Sequence, residues 1–243
     1  GRAGLLTRAA AHAVRPYLQK WDVRSAARVH HFIANSRTVQ RRIEHLYERP
    51  SEIIHPPVAC ETFKPQPGKS EDWFLVVSAL SGYKRVDLAI EAVRRAGARL
   101  KIVGGGPDLA RLQAMAGSSE IEFLPWQDAA GLADLYAHSR ALLFPGVEDF
   151  GITPLESMAS GRPVIALDAG GAQETVLPGT TGELIDSLDP DVWAAQLRRF
   201  DPVAYAPDVL RAHARTFDRH LYCDRMVDSL EVQWASHTAG PAA

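Results

Sequence analysis

From Trp73 to Ile185 short apolar runs alternate with stretches of helical periodicity, and that alternation admits essentially one class of fold. Trp73–Ser78, Leu100–Val103, Ile121–Leu124, Ala141–Phe144 and Val164–Ala166 read as buried strands, with Gly182–Ile185 as an edge strand. Between them, Val86–Arg95, Pro107–Ala116, Asp128–His138, a short segment ending near Gly161 and Ala172–Leu177 place apolar residues at helical spacing. Strands this rich in apolar residues need cover on both faces, and helices joining them through right-handed crossovers supply it. The expected fold is therefore α/β, a doubly wound parallel Rossmann-like sheet, in which ligands occupy the crevice at the carboxyl ends of the strands.

The flanks are organised differently. Ala9 to about Val29 fits a helix through Val14, Leu18, Trp21, Val23, Ala26 and Ala27. His31–Asn35 then reads as a strand, Ser36 as an N-cap, Thr38–Tyr47 as a helix and Ile53-Ile54 as a second strand. One β-α-β unit cannot cover both faces of a parallel sheet, so it is expected to belong to a larger sheet that the chain does not visibly supply. Pro56, Pro57, Pro65, Pro67 and Gly68 mark a hinge. After the sheet come helices at Asp191–Arg199, Pro207–Arg215 and about Asp218–Trp234, the last amphipathic through Leu221, Met226, Val227, Leu230 and Trp234 and expected to cross back onto a first domain only where enough of that domain is present. The expected division is 1–57 as a leading unit, 58–72 as the hinge, 73–216 as the main domain and 217–243 as a C-terminal helix and tail.

Several classes of function are disfavoured early. A net charge of −2 over 243 residues provides no field for a nucleic-acid partner. Cys60 and Cys223 are far apart without metal-type spacing, which fits two free thiols in a reducing cytosol. The histidines lack a metal-binding spacing, so no metal is assigned. No G-x-S-x-G elbow or G-x-x-x-x-G-K-[ST] loop is present. Nothing approaches the roughly 20 apolar residues of a membrane span, and Gly1-Arg2-Ala3-Gly4 lacks a signal-peptide core. The expectation is a cytoplasmic protein, soluble or peripheral at the inner face of the membrane.

The densest chemistry lies at Glu148-Asp149-Phe150-Gly151-Ile152-Thr153-Pro154-Leu155-Glu156, just beyond the strand Ala141–Phe144. Pro154 suits a first helical position, Thr153 a cap and Gly151 a close main-chain approach. Free amides and the helix dipole would then converge on an anion, the dipole alone contributing roughly 0.3–1 kcal/mol. The two glutamates flank that place and are suited to hydroxyls rather than phosphate. A nucleoside-diphosphate sugar has the matching order of sugar hydroxyls, diphosphate and ribose diol. The competing reading is a capping box, in which Glu156 returns to the amide of Thr153.

Other loops follow strand ends in the same way. Ser78 to Arg85 contains Lys84, a flexible cation able to meet a diphosphate, or else a solvated lysine. Gly104-Gly105-Gly106-Pro107 permits a tight turn, as structure or as a ligand approach. Trp126 reads either as a wall beside a base or as core. Gly170-Gly171-Ala172-Gln173-Glu174 offers amides to a ligand, or a turn capped by Glu174.

Glu148 to Glu156 resembles the E-x7-E signature of the retaining glycosyltransferases of family 4, which have the GT-B fold. The words Phe144-Pro145-Gly146-Val147-Glu148-Asp149-Phe150-Gly151 and Glu156-Ser157-Met158-Ala159-Ser160-Gly161-Arg162-Pro163-Val164-Ile165-Ala166 are similar to that family nearly throughout. Asn35-Ser36, Ile54-His55-Pro56-Pro57-Val58 and the G-G-x-x-E turn at Gly170–Glu174 resemble it too. The resemblance implies a GT-B C-terminal, donor-binding domain preceded by a remnant of the N-terminal domain and followed by a crossover helix. Glu148 would then hold the transferred sugar and Glu156 the ribose. Lys84, Arg85 and the amides of Phe150, Gly151, Ile152 and Thr153 would meet the diphosphate. Gly104, Gly105, Trp126 and Gly171 would complete the donor site. Lys84 matches the family's diphosphate lysine, whereas Ala79 stands where the family has an arginine. Tyr83-Lys84-Arg85-Val86-Asp87 looks most like the mannosyltransferase branch, with a GDP- or UDP-linked sugar as substrate and no cofactor or metal. A glycan or lipid-linked acceptor would be held by the missing N-terminal domain, so this chain alone is expected to bind donor with little transfer. The alternative is a non-catalytic nucleotide-sugar-binding subunit serving a separate acceptor subunit.

Overall fold

The computed structural model describes residues 5–67, 70–117 and 120–238. Its first part contains helix α1 (Leu5–Ala26), strand β1 (Ile33–Ala34), α2 (Arg37–Tyr47) and β2 (Glu52–Ile53). The strands and helices of the main part follow in strict alternation. They are β3 (Phe74–Val77), α3 (Val86–Ala96), β4 (Leu100–Val103), α4 (Leu109–Ala116), β5 (Ile121–Leu124), α5 (Ala129–His138), β6 (Leu142–Phe144), α6 (Thr153–Ala159), β7 (Val164–Leu167), α7 (Ala172–Thr175) and β8 (Gly182–Ile185). Helices α8 (Pro190–Arg199), α9 (Pro207–Arg215) and α10 (Arg219–Thr238) finish the described chain, and 3-10 turns occur at Gly82–Lys84 and Pro202–Ala204. Residues 1–4 of the expected leading unit, Gly68 of the expected hinge and residues 239–243 of the expected tail lie outside the described residues.

The six strands β3 to β8 pair in parallel in the order β5-β4-β3-β6-β7-β8. Winding runs outward from β3 in one direction and from β6 in the other, so β3 and β6 flank the point where the order reverses. Leu75 faces Leu142 across that seam. The strand interiors are sealed from water, with Leu75, Ile102, Ile165 and Ala166 fully buried. Removing each such branched side chain from solvent is worth about 1.5–3 kcal/mol. Helix α3 packs on α8, and α6 on α9. The two fully buried tryptophans find partners: the indole N–H of Trp73 donates to Glu71 at 2.8 Å and that of Trp193 to the Ser187 carbonyl at 2.8 Å. Asp128 caps α5 by accepting from the Gly131 amide at 2.8 Å.

The leading part forms its own sheet of two parallel two-residue strands, Ile33 opposite Glu52 and Ala34 opposite Ile53. The strand expected over His31–Asn35 is therefore shorter, because only one neighbour is present to satisfy its backbone. Ser36 caps α2 as expected, accepting from the Val39 amide at 3.1 Å. Helix α1 continues through Pro16, whose ring nitrogen cannot donate to the preceding turn.

The expectation of a free hinge needs correction. Val58, Cys60 and Phe63 are buried, so the first half of the expected hinge is packed core rather than free linker. The Arg211 guanidinium fastens it, donating to the carbonyls of Cys60 and Phe63 at 3.2 Å and of Ala159 at 3.0 Å. In α10 the expected apolar stripe is not covered by described residues: Leu230 is 58% and Trp234 70% exposed. What the helix buries is Ser229, whose hydroxyl donates to Glu52 at 2.6 Å and ties α10 back to β2. No helix among the described residues is long and apolar enough to cross a membrane.

Both cysteines are free thiols, Cys60 buried and Cys223 exposed. Burial first, and the neighbouring Asp218 second, push the Cys60 thiol up to about 12. A thiol-reactive chromophore at neutral pH is expected to label one thiol rapidly, Cys223, and the second only after denaturant is added. Rapid labelling of both in the native protein would contradict the packing of the 58–63 segment.

Candidate functional site

A cavity of about 650 Å³ opens at the reversal of the strand order. Val77 and Ser78 at the end of β3, Val103, Gly104 and Gly105 at the end of β4, and Phe144 at the end of β6 form its floor. Trp126 and Gln127, following β5, form one side, and residues 148–153 the other. Asn35 and Pro56 reach it from the leading part of the chain.

The 148–153 loop owes its course to Gly151. Its φ of +84° is a conformation that L side chains rarely adopt, and a Cβ there would come within 2.7 Å of the Phe144 ring. Helix α6 begins at Thr153, one residue earlier than expected, with Ile152 at the cap position and no side-chain cap. Thr153 therefore does not cap the helix; it is already in it. The amides of Leu155 and Glu156 bond to the Ile152 carbonyl at 2.9 and 3.0 Å. Those of Gly151, Ile152 and Thr153 meet no protein acceptor among the described residues.

Lys84 lies opposite, at the end of its 3-10 turn, and its ammonium forms an ion pair with Glu148 Oε1. The two side chains are 17% and 20% exposed, so solvent screens the pair less than it would on an open surface. Lys84 is the one basic side chain among the described residues lining the cavity, since Ala79 lines it where the resembled family has an arginine. Arg85 does not compensate. Its main chain is left-handed, with φ 52°, and its guanidinium is directed to Asp87 at 3.3 Å in the first turn of α3.

Glu156 is not brought to the cavity lining. The capping box does not form either, because Glu156 Oε2 accepts from the Tyr136 hydroxyl of α5 at 2.7 Å. Oε1 has no protein partner among the described residues. Burial raises the Glu156 carboxyl above its ordinary value, against a smaller opposing effect from the Tyr136 bond. The Tyr136 hydroxyl is pushed up well beyond its own, by burial first and by Glu156 second.

Gly171 also lies outside the lining, and its amide is not free: it donates to the Glu148 carbonyl at 2.9 Å. A Cβ at Gly171 would stand 2.1 Å from the Phe150 carbonyl oxygen, so this glycine lets the turn press against the back of the loop. Trp126 is not core; it is 80% exposed at the cavity edge.

The structure thus gathers Lys84, Gly104, Gly105, Trp126, Glu148, Phe150, Gly151, Ile152 and Thr153 around one cavity, and leaves Arg85, Glu156 and Gly171 outside it. Sequence reasoning passed over Ser78, although it lies in a loop it singled out. It also missed Asn35, Pro56 and Asp149. Asp149 pairs with Arg42 of α2 through contacts of 2.9 and 3.3 Å, and the approach of α2 to this loop has no local sequence signal.

Residues 61–200 match the model of a family described as glycosyl transferases group 1. The chain is 32% identical over 192 residues to a D-inositol 3-phosphate glycosyltransferase of Mycolicibacterium paratuberculosis, covering 68% of this chain and 44% of that protein. It spans less than half the length of this and similar curated relatives. Among solved structures, Anabaena Alr3699/HepE in complex with UDP-glucose aligns with a TM-score of 0.77 at 21% identity, over 88% of this chain and 67% of that one. Sucrose-phosphate synthase from Thermosynechococcus elongatus aligns with a TM-score of 0.75 at 22% identity, over 84% and 58% respectively. These two structural likenesses concern the fold.

The buried Glu156 carboxyl generates a stability prediction. Its folded pKa is raised, so its contribution is fully present below the unfolded value of about 4.3 and is lost as pH rises through the folded value. Glu156→Gln keeps an acceptor for Tyr136 and removes the buried charge. It is expected to melt above the wild type at about pH 7, by roughly 2–4 °C per kcal/mol recovered, and to lose that advantage towards about pH 4. Thermal melts across this range decide it, and a variant that melts lower at neutral pH would show that the charge itself is needed.

Proposed function

The chain belongs to the group 1 glycosyl transferases, and from that premise we propose that it is the donor-binding half of a retaining glycosyltransferase using a nucleotide sugar. The observation that supports this most directly is the Lys84–Glu148 ion pair facing the unpaired amides of Gly151, Ile152 and Thr153 across one cavity. A sugar diphosphate needs an anion site and a hydroxyl acceptor side by side, and here one lysine bridges the two. An ammonium has three donors, so Lys84 can keep one on Glu148 and turn the others to phosphate oxygens.

In this reading the transferred sugar lies by Glu148, whose carboxylate accepts from its hydroxyls. The diphosphate lies between Lys84 and the 151–153 amides. As the anomeric bond breaks, negative charge grows on the leaving phosphate, and donors already aimed there favour the transition state over the bound donor. Charge neutralisation is assigned to the lysine and the amides, without a divalent ion. The base lies toward Trp126 and Gln127, and Glu156, held outside the lining by Tyr136, is given no contact with the donor. GDP-mannose is the first donor to test, by the resemblance of the Tyr83–Asp87 wording. UDP-glucose is the second, because the solved relative from Anabaena binds it.

The acceptor, a glycan or a lipid-linked sugar in this reading, is assigned to a first domain of which residues 1–57 form part. The two-stranded sheet of that segment, open on both edges, supports the assignment. A wholly non-catalytic nucleotide-sugar-binding subunit would keep the same donor site.

Calorimetric titration of this chain with GDP-mannose, UDP-glucose and ADP-glucose tests the reading. One base is expected to bind clearly more tightly than the others. Lys84→Ala removes a charge-assisted contact and should weaken that binding about 10–150-fold. Glu148→Gln should weaken the nucleotide sugar while leaving the free nucleoside diphosphate little changed. Absence of binding at millimolar donor, with cooperative thermal unfolding intact, would overturn the donor site.

A further inference from the structure

The carboxylate of Glu174, in α7, is not used within its own turn. Its two oxygens lie 2.9 and 3.0 Å from the amide nitrogen of Arg37, the first residue of α2, and Oε2 is also 3.1 Å from His55 Nε2. Its side chain is only 10% exposed. A carboxylate so enclosed needs compensation, and the positive end of an 11-residue helix together with an imidazole provides it. This places the acidic group of one unit at the start of a helix in the other.

Two contacts lead from Glu174 to the cavity. His55 lies flat against Phe150, with ring centroids 5.2 Å apart and planes 18° from parallel, and Phe217 packs against both rings. Helix α7 grows from the turn whose Gly171 amide holds the Glu148 carbonyl at 2.9 Å. Glu174 thereby bears on both ends of the 148–150 segment while lining no part of the cavity.

We propose that Glu174 is a positioning residue for the donor loop. It clamps α7 and His55 together against the first turn of α2, and so holds Glu148 and the amides beyond Phe150 in register with Lys84. The proposal rests on the donor reading of the cavity. It makes nucleotide-sugar affinity depend on whether the leading unit is seated on the sheet, since the clamp has one jaw in each.

Three variants test it. Glu174→Ala removes the clamp, Glu174→Gln keeps its shape without the charge, and His55→Phe keeps the ring on Phe150 without the contact to Glu174. Titration with GDP-mannose and UDP-glucose is expected to show binding weakened about 5–30-fold by Glu174→Ala and less by Glu174→Gln. Glu174→Ala combined with His55→Phe should be little worse than the poorer single variant, because both remove the Glu174–His55 contact. In ligand-free NMR spectra the amide resonances of Gly151, Ile152 and Thr153 should move in the Glu174 variants while those of β7 and β8 stay. Should Glu174→Ala fail to fold, Glu174→Gln decides the same questions. Unchanged affinity and unmoved loop resonances, with only a lower melting temperature, would reduce Glu174 to a stabilising contact and overturn the proposal. If the wild type binds no nucleotide sugar, the donor reading fails separately, and the ligand-free resonances still decide whether Glu174 positions the loop.

Discussion

Reversal of the strand order between β3 and β6 is the constraint on which the rest depends. Every crossover helix in a parallel sheet leaves one strand end and returns to the next, covering the faces as it goes. At β3 and β6 the two paths part, so the loops after both strands diverge and a crevice remains between them. At Ser78, Gly104, Gly105 and Gly151 small residues let main chain line the cavity between the larger side chains of Lys84, Trp126 and Glu148. A sheet with a simple sequential order would hold the same residues without a place to put a ligand.

Three glutamates around this crevice meet three different fates, set by what lies within reach of each. Glu148 is matched by a lysine beside the cavity. Glu156 is drawn into the core side of α6, where a tyrosine hydroxyl satisfies one oxygen and burial disfavours ionisation. Glu174 faces away from the cavity into the seam between the two units, where main-chain amide and imidazole receive it. Residue type and spacing alone do not distinguish these environments. The fold does, by deciding which helix stands opposite each carboxylate.

The parallel sheet was legible because its central strands β3, β6 and β7 are apolar along their whole length. Val164 to Leu167 is buried at every position, a pattern that only a strand covered on both faces requires. The neighbourhood of Lys84 and Glu148 was legible because loops at adjacent strand ends converge whatever their sequence. What escaped has a common cause, namely contacts between segments distant in the chain. Glu174 looked like a local cap and is an inter-unit one. Asn35 and Pro56 gave no sign of lining the cavity, since their route to it depends on how the two-stranded unit docks. The apolar stripe of α10 was legible as a stripe, but periodicity reports a face suited to burial and not whether anything among the described residues covers it.

The seam between β3 and β6 also bears on how the molecule acquires its site. Leu75 pairs with Leu142, whereas the other ladders of the large sheet join residues much closer in sequence. Chain-length scaling alone makes closing that long loop about 1 kcal/mol costlier than closing the neighbouring ones. The segments β3 to β5 and β6 to β8 can therefore collapse as separate half-sheets before they join. Recognition surfaces built on either half would exist early, but the crevice comes into being only with the last pairing. Any ligand that requires the complete crevice would consequently favour the finished molecule over every half-assembled species, acting as a checkpoint on completion.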